Sequence, residues 1–368
     1  MKRIPLQGKY IQGILLFLLL VFAFAFPRIM ADKPYWLYVA LQSFFWAMMA
    51  ASWALLAGYA GQFSFAHVAF MGIAAYTSGI AGERLGWSPI SGIILGTIMA
   101  GFVGLLVGYL CLRLRSTYLA LFTIAFSEIV RLIINAEHQL TGGPMGLYME
   151  PLLETTSYVP TYYIMLAALI VTLLSMYAIA NSRFGLFFRA IREDEEAAAA
   201  MGVHVVRYKI AAFVITAMIA GTAGALDHHI IGFIAPNELM IPRMSLIIAM
   251  AVIGGTESLI SASIGAILIH FLMEWLQAIP VSEAMMAKLQ ANAATVQQFG
   301  LTLGDGVIQT NAWRMAFFGL MLMLTLRFWR NGLIQPLLEK IGRQGIAEET
   351  VAKRKLPQEE NENTEVQP

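Results

Sequence analysis

The sequence predicts an all-α fold: a polytopic transmembrane helical bundle of about ten spans, with broken helices and one amphipathic helix on the cytoplasmic side. Three observations predict it. Hydrophobic residues make up 58% of the 368-residue chain and charged residues only 13%, whereas soluble domains carry roughly a quarter. Apolar windows of bilayer-crossing length recur along the chain. Glycine-spaced stretches and one dense charge cluster interrupt them. The net charge of +1 gives no basis for nucleic-acid binding. A single cysteine, Cys111, excludes an internal disulfide or a thiolate metal cluster and reads as a small buried apolar residue.

The elements follow in order. Lys2, Arg3 and Lys9 precede an apolar run from Ile11 to Phe26, which has the form of a signal peptide or a first anchor. Ala23-Phe24-Ala25 even resembles a cleavage site, but the many later spans favour an uncleaved anchor. Counting that run, apolar windows fall at about 10–31, 36–57, 63–81, 88–112, 117–136, 161–182, 207–231, 243–256, 259–280 and 311–329. Basic residues set the orientation. Arg113, Arg115, the 183–209 segment and the tail with Arg327, Arg330, Lys340 and Arg343 are assigned to the cytoplasm. No Lys or Arg lies between Arg131 and Arg183, and only Lys288 lies in 280–310, so those loops are assigned outward. Ten crossings with both termini inside satisfy every assignment. Residues 1–341 form the membrane domain, with a polar outer loop at 281–310 that includes a short helix near Ala284 to Ala294. Residues 342–368 turn polar and charged and are expected to be a disordered cytoplasmic tail.

The charge cluster spans 183–203. Alanines and straight-chain charged residues favour helix there, and Gly202 stands where a helix would stop. Phe184, Phe188, Ile191, Ala198 and Met201 fall near one face, interrupted by Glu195. Asp194 is a candidate cap for a second short helix. Three arginines, including Arg189 and Arg192, meet four acids, Glu193, Asp194, Glu195 and Glu196. Mixed charge suits a soluble protein partner better than anionic membrane lipid, which selects a basic face.

Two glycine-broken stretches stand in the two halves of the chain. Gly58 to Gly72 includes Gly61, Gln62, Ser64 and His67, and Ile253 to Ser258 includes Gly254 and Gly255. Such paired breaks point to a solute pathway, although glycines also serve close packing and His67 alone reads as hydrogen-bonded to a neighbouring helix. Glu128 and Arg131 share a helix face, as an intramembrane ion pair that is either a pathway contact or structural. Asp227-His228-His229 carries polar groups at depth. Adjacent residues point apart on a helix, so an Asp–His hydrogen bond or outer exposure is expected and no metal site.

Five motifs in order resemble permeases of branched-chain amino acid ABC transporters over roughly residues 40–335. They are Gly58-x-x-Gly61-Gln62-x-Ser64-x-x-His67, the Arg113-Leu114-Arg115 to Leu121 turn, Thr141-Gly142-Gly143-Pro144-Met145-Gly146-Leu147, Arg189 to Val203, and the Gly254-Gly255 turn. Met145 replaces the usual Asn of its loop, and Glu257 replaces a glycine. The resemblance implies a multi-pass subunit of the bacterial inner membrane. It further implies a second related permease, two cytoplasmic ATPases and a periplasmic solute-binding protein as partners. Arg189, Arg192, Glu193, Asp194, Glu195, Ala198 and Gly202 would then couple to the ATPase, with Ala198 on the contact face. This chain would bind no cofactor, ATP–Mg belonging to the partners. Accordingly, no Gly-x-x-x-x-Gly-Lys-Ser/Thr occurs, and no His-Glu-x-x-His or Gly-x-Ser-x-Gly supports an intramembrane enzyme. Two rival functions stay open: a urea or short-amide ABC permease of the same family, and an ion-coupled secondary transporter using Glu128, Asp227 or Glu257.

Overall fold

Each of the ten apolar windows forms a helix in the computed structural model, which describes residues 6–30, 32–111, 116–155, 157–277, 279–280, 302–304, 307–309, 311–328, 332–334 and 336. The helices are α1 (Leu6–Ile29), α2 (Pro34–Ala54), α3 (His67–Leu85), α4 (Pro89–Leu110), α5 (Ser116–Ala136), α6 (His138–Thr141) and α7 (Tyr158–Asn181). Then come α8 (Arg183–Glu193), α9 (Glu195–Ala200), α10 (Val205–Ile231), α11 (Ile241–Gly254), α12 (Leu259–Gln277) and α13 (Asn311–Phe328). Among the described residues, six helices are long and apolar enough to cross a membrane, and two shorter apolar ones lie at Phe17–Ile29 and Ile241–Gly254. The expected cytoplasmic arginines Arg113 and Arg115, the helix near Ala284 to Ala294 and the tail at 342–368 lie outside the described residues.

α2 is the axis of the bundle. It is apolar on all sides, and every residue from Val39 to Leu56 is buried, as an all-round hydrophobic helix must be. α7, α10, α11 and α12 pack around it. α3, α4 and α10 form a second tight group. Its closeness depends on small residues: a Cβ at Gly96 would strike the Ala74 carbonyl, and one at Gly104 the Ala217 methyl and the Phe213 carbonyl. Backbone approach of this kind provides the packing that hydrophobicity cannot supply between helices in lipid. α1 lies against the outside of α7, where Tyr162 and Tyr163 hydroxyls donate to the Ala23 and Phe24 carbonyls at 2.7 and 3.0 Å.

Small β pairings close the loops. β1 (Leu147–Tyr148) pairs antiparallel with β2 (Phe233–Ile234), setting Leu147 opposite Ile234. This joins the Thr141–Leu147 turn to the end of α10. β3 (Ile279–Pro280), β4 (Thr302–Gly304) and β5 (Val307–Gln309) make an antiparallel sheet in the order β3-β5-β4. Strands this short carry no readable alternation, so the sequence pattern gave only a polar loop there.

Candidate functional site

The charge cluster folds as a helix pair, as the Asp194 cap suggests. Ser182 Oγ accepts from the Phe184 N–H at 3.1 Å and starts α8. Asp194 Oδ1 accepts from the Glu196 and Ala197 N–H groups at 2.9 and 3.0 Å and starts α9. Ile191, Ala198 and Val205 form a small core inside the hairpin. The Lys209 ammonium, itself buried on α10, donates to Glu195 at 2.5 Å and ties α9 to the bundle. Ala198 therefore faces inward and is not on a contact face. The chain turns at Asp194, so the face does not continue: Phe188 and Ile191 are buried, while Phe184 and Met201 are exposed. Exposed residues of the pair include Glu193, Glu196, Ala197, Met201 and Gly202.

Arg192 joins this pair to both glycine-broken stretches. Past Ala54, α2 widens into a π turn at Leu55–Tyr59 and then leaves the helix. Arg192 Nη1 donates to the Gly58 carbonyl at 2.5 Å, and Nη2 to Glu193 at 2.7 Å. The same guanidinium lies 3.9 Å from Glu257 in the second break. Gly58 itself presses on the Thr256 backbone, where a Cβ would overlap the carbonyl oxygen. Gly61 packs on Arg192 with φ +69, a left-handed conformation that costs glycine little. Free carbonyls left by a broken helix need donors, and Arg192 supplies one. Arg189 fixes the approach, donating to the Ala180 and Gly185 carbonyls at 3.0 and 3.1 Å and lying 5.8 Å from the Tyr59 ring centroid.

The remaining candidates divide. Gln62 is buried and donates to the Ala60 carbonyl at 3.2 Å. Ser64 Oγ accepts from the Ala66 N–H at 3.1 Å, and the Ser64 carbonyl accepts from Trp53 Nε1 at 2.9 Å. Across the break, Thr123 Oγ1 accepts from the Phe65 N–H and Ser127 Oγ donates to the Phe65 carbonyl, both at 2.9 Å. Sequence reasoning missed Thr123 and Ser127. Two hydroxyls four residues apart on an apolar helix are the signal that would have found them. His67 starts α3 fully buried near the Ser52 backbone, yet neither ring nitrogen makes a well-formed hydrogen bond. Its polar neighbour, the Ser52 backbone, belongs to α2, a neighbouring helix as expected. Gly254 backs onto the Ser261 carbonyl, and beside it the Ile253 carbonyl accepts from the Leu333 N–H at 2.8 Å. Glu128 and Arg131 do pair, with Arg131 Nε 3.0 and 3.1 Å from the two carboxylate oxygens. They lie apart from the Arg192 junction, partly exposed on the outer face of α5.

Asp227, His228 and His229 depart from expectation. All three are buried, and Asp227 accepts from Gln42 Nε2 at 2.9 Å, not from a histidine. His228 Nδ1 lies 2.7 Å from the Gly224 carbonyl. His229 bridges Ser78 Oγ and the Glu150 carbonyl, each at 2.7 Å. Successive helical residues face different neighbours, and α2, α3 and the 150s loop surround this end of α10, so each side chain finds its own partner.

A family model for the permease component of branched-chain amino acid transport systems matches residues 35–326. The chain is 28% identical over 286 residues to the high-affinity branched-chain amino acid transport system permease protein LivM of Escherichia coli (strain K12), covering 70% of this chain and 67% of that one. It is 28% identical over 163 residues to a probable branched-chain amino acid transport permease protein LivM of Methanocaldococcus jannaschii, covering 41% and 47%. It is also 28% identical over 207 residues to the autoinducer 2 import system permease protein LsrC of Enterobacter sp. (strain 638), covering 53% and 58%. The chain belongs to the branched-chain amino acid transport permease family. It is a multi-pass membrane protein and a transporter subunit, not a catalytic one.

Proposed function

We propose that this chain is the membrane-spanning subunit of an ATP-driven importer that moves branched-chain amino acids across the bacterial inner membrane. In this reading α8 and α9 dock on one of two cytoplasmic ATPases, which bind ATP–Mg. A second related permease completes the pathway, and a periplasmic binding protein delivers the solute. The observation that carries it is the Arg192 junction: one guanidinium on the docking element touches the backbone of the first break and faces an acid in the second. Movement of α8 by a partner would reach both breaks directly, and alternating access needs such a contact to differ between two states.

The structure selects the variants that test it. Asp194 caps α9, so changing it would lose about 1 kcal/mol of helix stability in addition to any docking effect. Glu196 and Met201 are exposed and lie off the Arg192–Glu193 pair, so Glu196→Lys with Met201→Lys tests docking without disturbing the junction. Insertion should survive, because basic charge suits a cytoplasmic segment. ATPase co-purification should weaken, and ATP hydrolysis should stop responding to loaded binding protein. Full leucine uptake by this double variant would sink the docking assignment. Stronger membrane attachment with normal uptake would favour lipid as the occupant. Parallel assays with labelled leucine, glutamate and urea, with ATP depleted or the ion gradient collapsed, separate the rival solutes and energy sources.

A further inference from the structure

At the end of the bundle away from α8, three helices bring together polar groups with unused hydrogen-bonding capacity. Asp227 on α10 is fully buried; Gln42 holds one carboxylate oxygen, and Oδ2 has no partner. His228 is buried with Nε2 unpartnered. Arg243 on α11 pairs with Glu238, while its Nε is buried and unpartnered. The Arg243 guanidinium lies 5.2 Å from the Trp46 ring centroid and 5.6 Å from that of Phe45, within electrostatic range of Asp227. Gln42, Phe45 and Trp46 are three and four residues apart on α2, hence on one face.

Buried charges left partly unbonded are costly, and mutual attraction offsets only part of that cost. A solute with the complementary groups would complete both. An ammonium can donate to Asp227 Oδ2, a carboxylate can accept from Arg243 Nε, and an alkyl chain can lie on the aromatic wall. An α-amino acid carries all three groups. Urea and a polyol are both neutral and lack both charges.

We propose that Asp227, Arg243, Phe45 and Trp46 form an occluded site for a zwitterionic α-amino acid inside the membrane domain; this rests on the importer reading above. Asp227, Phe45 and Trp46 are closed from solvent here while Arg243 stays partly exposed, and the site opens during transport. α11 links it to the junction, with Arg243 near its first residue and Gly254 its last, about 16 Å along the axis at 1.5 Å per residue.

The test uses the full transporter complex. Wild type should gain thermal stability with leucine, but not with isopentylamine or 4-methylpentanoate, each of which lacks one charge. Asp227→Asn and Arg243→Gln should lose that shift and lower leucine Vmax at least about tenfold per inserted copy, the loss of roughly one charged hydrogen bond. Should Asp227→Asn fail to reach the membrane, Arg243→Lys removes the Nε donor and keeps the charge; a retained leucine shift there overturns the site. Variants with normal Vmax and a normal shift also overturn it while leaving the importer reading intact. Absent leucine uptake in wild type overturns the importer reading itself, and a surviving leucine-specific shift would then still support the site.

Discussion

The two ends of α11 hold different kinds of charge. At Gly254 the helix ends beside Arg192, whose partners Glu193 and Glu257 are exposed and whose own side chain is partly solvated. At Arg243 it begins beside Asp227, which is fully buried, and both Asp227 Oδ2 and Arg243 Nε lack partners although the Arg243 side chain is 19% exposed. Partly solvated pairs are worth little and exchange partners cheaply. A buried pair cannot shift without leaving an uncompensated charge. One end is therefore suited to a contact that moves, and the other to a contact that waits for a ligand. Substitutions at Gly58, Arg192 and Glu257 separate dependence of the junction end on backbone geometry, on a forked donor, and on charge alone.

The largest effect is expected where no side chain can yield. Gly58→Ala places a methyl on the Thr256 carbonyl, so the two breaks must separate. Overpacking of this kind costs about 1–3 kcal/mol, and here backbone must move. Leucine uptake should fall more than about tenfold. Gly82→Ala on α3 is the control, because its Cβ would meet the Trp87 carbonyl at an ordinary 3.7 Å; alanine there should help the helix by somewhat under about 1 kcal/mol. If Gly58→Ala transports normally, the breaks are not in functional contact and the junction loses its role.

An intermediate effect should follow Arg192→Lys. Lysine keeps the charge but cannot hold the Gly58 carbonyl and Glu193 at once, as the guanidinium fork does. A loss of about 1 kcal/mol is expected for a partly exposed hydrogen bond of this kind. Uptake should drop several-fold with unchanged abundance, and ATP hydrolysis should persist with less solute moved per ATP. Tight coupling in the lysine variant would make Arg192 a mere charge, and the contrast with the buried end would collapse.

What the sequence made legible follows the same division. Composition and window hydropathy located the ten apolar helices among the thirteen described, because burial in lipid demands long apolar runs. The helix pair and its Asp194 cap were readable for a local reason: capping involves residues two and three apart. Convergence was not readable. Arg192 and Gly58 are 134 residues apart, and Gln42 and Asp227 are 185 apart. No local pattern encodes such meetings, so the acid of the Asp227 triplet was expected to bond its neighbour when it bonds a distant helix. Ala198 sits inside the hairpin because the chain turns at Asp194, so no single face runs from Phe184 to Met201. The partial exception was the pair of glycine breaks, visible because close backbone approach leaves glycine as its trace.

The smallest expected effect is the sharpest test of charge alone. Glu257 stands 3.9 Å from Arg192 with its side chain about half exposed (53%). Exposed pairs at this separation contribute roughly 0–1 kcal/mol and weaken with salt. Glu257→Gln keeps the side chain's shape and removes only the charge, so uptake should change by less than about threefold. Raising ionic strength on the cytoplasmic side should reproduce in wild type whatever small loss the variant shows, because both remove the same screened attraction. Arg192→Lys with Glu257→Gln should then behave nearly like Arg192→Lys alone, since the main partners at position 192 are the Gly58 carbonyl and Glu193, with Glu257 the most distant. A tenfold loss in Glu257→Gln at normal abundance would contradict this. It would mean that the acid is desolvated in another state of the cycle, and that the exposed end of α11 becomes, for part of each turnover, as buried as the Asp227 end.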